Sequence, residues 1–294
     1  MLSEQKMKNK IREVSQETGL APQQLYGLFG MEQLVKRLSE TKYRDHFILK
    51  GGYLLASKYG LSQRATQDLD ATIQNMALTR EKVEEIVHEL TMPDTSNQKY
   101  FSLLSIRETR EDFQYNGYNI KLLFQNGQAK FPIDIDMTTG EELLAISEDE
   151  TIPLMFEEGV IHFPAYPVEQ ILADKFYTML AYGTDGTRMK DYYDLYILPK
   201  FNESIDYEKV HEAVDRTLEQ RNITVSVERY FGVAEEIEQS PFQQKLWNNW
   251  QKQLPYASNL SFQEMIVGLK QVTESITQYE AREMNQSKER NRKR

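Results

Sequence analysis

Residues 47–73, FILKGGYLLASKYGLSQRATQDLDATI, decide how the rest of the chain is read. Phe47, Ile48 and Leu49 form a short apolar run that predicts a strand. Gly51 and Gly52 follow, and a helix is expected over Tyr53–Tyr59. A loop with Arg64 and Thr66 leads into a second strand carrying Asp68 and Asp70. Residues two apart on a strand point the same way, so both carboxylates share one face while Leu69, Ala71 and Ile73 take the other. Two carboxylates on a rigid edge suit Mg²⁺, a hard cation that takes oxygen ligands and keeps positions open for phosphate and water. The glycines let a backbone approach a phosphate, and the helix start behind them favours anions. Asp-x-Asp alone usually marks a solvated strand and Gly-Gly alone a turn. Their order and combination point to metal-assisted nucleotidyl transfer.

Downstream, Tyr118–Phe124 alternates apolar and polar residues, Asn126-Gly127 is a strong hairpin turn, and Lys130–Met137 (KFPIDIDM) is the return strand. Asp134 and Asp136 face away from Ile133 and Ile135, so one of them can supply a third acid to a two-metal site. Before the central motif, residues 1–45 read as helical, with Pro22 at a helix start. After it, Leu78–Leu90 is an amphipathic helix with Thr79 as N-cap, and Tyr100–Ile106 a strand. Val168–Tyr182 is an amphipathic helix opened by Pro167, with Lys175 in the middle of its apolar stripe Val168, Ile171, Leu172 and Met179. A lysine there either snorkels or aims its ammonium at a triphosphate. Arg188–Leu198 is a helix on which Asp191, Leu195 and Leu198 share a stripe, so Asp191 needs a cation, for which Lys175 and Arg188 are candidates. The plainer reading of that pair is a salt bridge between helices. From Asn202 to about Arg282 the chain reads as helical, with Trp247 and Trp250 as core or interface aromatics.

With 294 residues, 40% hydrophobic and 27% charged, the chain has the composition of a soluble globular protein of one large or two ordinary domains. It has no cysteine, which excludes disulfides, thiolate zinc sites and a cysteine nucleophile, and fits a cytoplasmic location. The N-terminal residues carry no signal-like apolar run, and no stretch has the length of a membrane span. A net charge of −10 argues against nonspecific coating of nucleic acid, though not against a local basic groove. The four histidines show no metal-ligand spacing, and there is no nucleophile elbow, P-loop lysine motif or internal repeat. The basic end from Ser287 (SKERNRKR) reads as a disordered tail.

Taken together, FILKGGYLL, RATQDLD, PIDID, VEQILADKFYTML and TRMKDYYDLY resemble the AbiEii/AbiGii toxin family over roughly residues 5–200. The resemblance implies an α/β (α+β) fold: a DNA polymerase β-like nucleotidyltransferase core (46–165) with an N-terminal helical segment (1–45), a helical C-terminal domain (166–282) and a tail (283–294). It implies Asp68, Asp70, Lys175 and Asp191 as catalytic residues, and Asp68, Asp70 and Asp134 as metal ligands. Lys50, Gly51, Gly52, Arg64, Thr66, Lys175 and Arg188 are the nucleotide-binding set. Asp134 fits the family's third-acid position better than Asp136. The Gly-Phe-Gly-Asp run that often follows that acid is replaced here by Asp136-Met137-Thr138-Thr139. Mg²⁺ or Mn²⁺ is the implied metal, an NTP (GTP or CTP) the substrate, and a tRNA 3′ end the expected acceptor. A helix-turn-helix antitoxin encoded in the same operon is the implied partner, and a monomer is expected. A silent NTP-binding regulatory module and a transferase acting on a protein or small molecule are the alternatives. An antibiotic-modifying nucleotidyltransferase would share the core but gives no reason for TRMKDYYDLY.

Overall fold

The computed structural model describes residues 2–95, 97–109, 117–141, 143 and 146–292, with side chains at all of these except 227 and 280–292. It divides into two compact units, Met1–Glu141 with Ile146–Tyr166, and Glu142–Ala145 with Pro167–Arg294.

The first unit opens with helices α1 (Glu4–Thr18) and α2 (Pro22–Ser39), followed by β1 (Phe47–Lys50), α3 (Gly51–Tyr59), β2 (Asp68–Ile73) and α4 (Arg80–Thr91). Strands β3 (Phe101–Thr109), β4 (Gly117–Asn126), β5 (Ala129–Thr139), β6 (Ser147–Pro153) and β7 (Val160–Ala165) complete it. One seven-stranded sheet results, in the order β3-β4-β5-β2-β1-β7-β6. β4 and β5 form the expected hairpin, turning at Gly127 with φ +63°. β2 inserts beside β5 in parallel and beside β1 antiparallel.

The local reasons are those visible in the chain. Ser3 caps α1 by accepting from the Lys6 N–H, and Gly19 closes it in the left-handed conformation. Thr79 caps α4 by accepting from the Lys82 N–H. Pro22 occupies the first turn of α2, whose Leu25, Leu28, Phe29, Leu34 and Val35 are buried. Gly30 of α2 lies so close to β5 that a Cβ there would sit 2.9 Å from both Ile133 and Phe131 side-chain atoms. The helix thus lies down on Phe124, whose ring is 5.0 Å from that of Phe131 and 5.9 Å from that of Phe29. Tyr118, Ile120, Leu122 and Phe124 are buried on this face, while Asn119, Lys121, Leu123 and Gln125 alternate onto the other. Strands β6 and β7 escape the apolar-run reading. SEDETIP is too acidic to show one, and as an edge strand β6 needs only Ile152 in the core.

The second unit is helical: α5 (Val168–Tyr182), α6 (Met189–Phe201), α7 (Tyr207–Gln220), α8 (Val227–Glu238), α9 (Pro241–Gln251) and α10 (Phe262–Arg292). Asp206, Ser226 and Ser240 cap α7, α8 and α9. Trp247 is fully buried and donates through Nε1 to the Leu260 carbonyl at 3.1 Å, and Trp250 packs its ring 5.8 Å from that of Tyr193. The α10 backbone runs through Arg292, into the segment read as a tail, whose side chains lie outside the described residues together with all of 293–294. No helix among the described residues is long and apolar enough to cross a membrane.

One core contact of the first unit is made by an ionisable side chain. Glu32 of α2 is fully buried and accepts from the backbone N–H groups of Met155 and, at 3.3 Å, Phe156, holding the β6–β7 turn. Burial pushes its carboxyl up from 4.5 to about 7, against the lowering effect of those two bonds. The folded protein therefore holds this proton more tightly than the unfolded chain. The stability it contributes is present below pH 4.5 and is lost as pH rises through about 7. The difference amounts to ~3 kcal/mol. Thermal melts from pH 5 to 8 should show this decline in the native protein, and Glu32→Gln should flatten it.

Candidate active site

The chemistry of the first unit begins at the β1–α3 junction. Gly51 has φ +70°, a conformation L side chains rarely adopt, and an added Cβ would lie 2.1 Å from Oδ2 of Asp70. A Cβ on Gly52 would lie 2.6 Å from Oγ1 of Thr66. The glycine pair thus makes room for two site side chains and also presents the N-terminal N–H groups of α3 to an anion. Thr66 donates to Oδ1 of Asp68 at 2.5 Å, fixing that carboxylate.

The third acid comes from register. β2 and β5 run parallel with Asp68 opposite Asp134 and Asp70 opposite Asp136. Asp68, Asp70 and Asp136 are half-buried, and one oxygen from each lies within 4.8 Å of the others. Asn119 of β4 donates to Oδ1 of Asp136 at 2.8 Å and orients it. Asp134, the residue the family resemblance favoured, instead pairs with Lys121 at 3.3 Å. Lys121 stands directly opposite Asp134 across the β4–β5 pair, and the carboxylate that clusters with Asp68 and Asp70 is that of Asp136. Three carboxylates this close repel one another. An all-oxygen set on rigid strands fits a hard divalent cation, with Asp68, Asp70 and Asp136 as its holders.

The remaining residues proposed for the nucleotide are distributed more widely. Lys50, opposite Asp70, donates to Thr138 Oγ1 at 2.8 Å and pairs with Glu141 at 3.1 Å. Arg64 is 5% exposed and donates to the Ala65 carbonyl, which makes it a prop behind the glycine turn. Arg188 precedes α6 in the second unit and is exposed.

In the second unit Lys175 of α5 meets Asp191 of α6 at 2.5 Å and Asp194 at 3.5 Å. Asp191 is 1% exposed and Asp194 0%. Asp194 was missed by the sequence reading, although it lies three residues after Asp191 and so on the same helix face. One ammonium faces two buried carboxylates, and Oδ2 of Asp191 has no hydrogen-bond partner among the described residues.

The two geometries of β5 yield a discriminating expectation. Asp68→Asn, Asp70→Asn and Asp136→Asn should each weaken Mn²⁺ binding in a calorimetric titration and lower transfer by at least about a hundredfold. Asp134→Asn should leave both within a few-fold. Gly51→Ala should lower the melting temperature as well as metal affinity, since it strains the backbone and displaces Asp70 together.

The profile of the AbiEii nucleotidyl transferase toxin family, described as a type IV toxin–antitoxin system, matches residues 33–267. No curated protein matches the chain significantly. Among solved structures, JHP933 from Helicobacter pylori superposes with a TM-score of 0.54 at 16% identity, covering 92% of this chain and 99% of its own. A second H. pylori protein, described as a presumed nucleotidyltransferase, gives 0.51 at 15% identity, covering 88% and 97%. At such identities these two likenesses concern the fold, which is that of the nucleotidyltransferase-like neighbours. The family profile spans both units and well over half of the chain: the protein belongs to the AbiEii family of nucleotidyltransferase toxins.

Proposed function

We propose that the protein moves a nucleotide from an NTP, GTP or CTP by expectation, to the 3′ hydroxyl of a tRNA, with Mg²⁺ or Mn²⁺ held by Asp68, Asp70 and Asp136. The observation that carries this reading is the convergence of those three carboxylates beside the Gly51-Gly52 turn. Bound there, a divalent ion would supply charge neutralisation to the phosphoryl oxygens and lower the pKa of the attacking hydroxyl. The chain's own residues do the rest. N–H groups at the start of α3 receive the donor's phosphate oxygens. Thr66 keeps Asp68, and Asn119 keeps Asp136, aimed at the metal position. The 3′ oxygen bonds to the α-phosphorus, the bond to the bridging oxygen breaks, and pyrophosphate leaves. The hydroxyl proton passes to the Asp136 carboxylate. Lys175, its ammonium fixed by Asp191 and Asp194, is assigned to the triphosphate, with Arg188 as a further cation and Lys50 and Arg64 supporting the phosphate turn.

Type IV membership implies an antitoxin partner. We take it to be a helix-turn-helix regulator encoded beside the toxin. Incubating the purified protein with labelled triphosphates and total RNA tests the acceptor. Label should appear on a tRNA-sized band, require Mg²⁺ and vanish in Asp70→Asn. Label on the protein itself or on the antitoxin would mean that a side-chain hydroxyl is the acceptor. Binding of triphosphate with no product would establish the regulatory-module alternative.

Lys175 has its own test. Lys175→Ala should abolish transfer and lower stability by ~3–5 kcal/mol, because two carboxylates stay buried without their cation. Lys175→Arg should restore much of the stability but little of the rate, since a planar guanidinium cannot replace a compact ammonium. Melting curves set beside transfer rates separate the two contributions.

A further inference from the structure

The face of the sheet that carries the three acids continues outward across β5, β4 and β3, and its side chains are polar and basic. Cross-strand register lays them out in rows. Asp136 stands opposite Asn119, and Asn119 opposite Arg107. Asp134 stands opposite Lys121, and Lys121 opposite Ser105. Pro132 lies opposite Leu123, which faces Ser102, and the last row pairs Lys130 with Gln125. The other face of β4 and β5 is core, with Ile120, Leu122, Phe124, Ile133 and Ile135 buried. On the outward face Arg107, Lys130 and Pro132 are exposed and the Lys121 side chain is 42% exposed. Beyond the three clustered acids, the cations among the described residues of this face are Arg107, Lys121 and Lys130, and the one described acid is Asp134, which pairs with Lys121. A local excess of positive charge therefore lies beside the candidate active site in a chain whose net charge is −10.

We propose that this open face of β3, β4 and β5 is the track for the unpaired 3′ end of the RNA acceptor. The inference rests on the nucleotidyl-transfer reading and adds where the acceptor lies. Lys130 to Asp136 spans six residues of extended strand, ~20 Å. That is room for a few nucleotides running toward the carboxylates. Arg107, Lys121 and Lys130 meet phosphates, the Pro132–Leu123 row offers apolar surface to ribose and base, and Asn119 and Ser105 offer hydrogen bonds to ribose hydroxyls. Such a track is shallow and carries few charges, which suits a single-stranded end and not a long duplex.

The test is a variant with Arg107→Gln, Lys121→Gln and Lys130→Gln together, set against a charge-matched control with Lys8→Gln, Lys10→Gln and Lys82→Gln. Direct binding of a short single-stranded RNA is measured in an Asp70→Asn background, so that no transfer is needed for the readout. The track variant should bind at least about tenfold more weakly, and its log affinity should depend on log salt less steeply by about 2, at ~0.7 per phosphate contact. The control and native affinities should agree, and thermal melts should confirm that both variants fold. With native Asp70, the track variant should raise KM for RNA and leave NTP affinity unchanged. Equal RNA affinity and salt slope in the track variant and the control would overturn the proposal. So would a loss of NTP affinity with RNA binding intact, which would make the strip part of the donor site. If the native enzyme labels protein and not RNA, the transfer reading fails by itself; the binding comparison still decides the track.

Discussion

The register between β2 and β5 is the constraint on which the site depends. These strands are distant in sequence and joined only by pairing, yet their parallel alignment sets Asp70 opposite Asp136 and Leu69 opposite Ile135. Because strand side chains alternate, one alignment serves both faces: a slip of β5 by a single residue would bury its carboxylates and expose Ile133 and Ile135. Core burial therefore enforces the clustering of the three carboxylates. The free energy holding three like charges together comes from the apolar face behind them, where α2 seats Gly30 against Phe131 and Ile133.

Glycine provides the second constraint. Asp70 projects into space that any side chain at position 51 would fill, and Thr66 occupies the corresponding space at Gly52. The turn that opens α3 is thus also the turn that admits the Asp70 carboxylate and the Thr66 hydroxyl beside it. This explains why the two motifs carry meaning together. Gly-Gly without Asp-x-Asp would be a turn, and Asp-x-Asp without the glycines would lack room at Asp70.

Much of this was legible because its determinants are local. The alternation in YNIKLLF, the Asn126-Gly127 turn and the Asp68/Asp70 spacing are short-range signals, and the structure reproduces each. What was not legible depended on contacts between strands. The choice between Asp134 and Asp136 turns on which carboxylate faces Lys121 across the hairpin and which lies against Asp70 and Asn119. Family resemblance pointed to the first, and the carboxylate that clusters with Asp68 and Asp70 is the second. Strand β6 was silent for a related reason, since this acidic edge strand places only Ile152 in the core. Asp194 was visible in principle through its three-residue offset from Asp191.

The second unit shows a different way of holding charge. Lys175, Asp191 and Asp194 come from two helices, and both acids are withdrawn from water. A buried trio of this kind contributes little net stability, because desolvation offsets most of the Coulomb attraction. An apolar trio of similar volume would pack α5 against α6 at least as well. The arrangement does fix one ammonium in one place, and it leaves Asp191 Oδ2 without a hydrogen-bond partner among the described residues. Electrostatic stabilisation of a developing charge requires this kind of preorganisation, in which the cost of orienting the dipoles is met in folding and not at the moment of reaction. The trio is thus easier to explain by chemistry than by packing, and the same holds for the three carboxylates of the first unit, whose mutual repulsion the fold accepts.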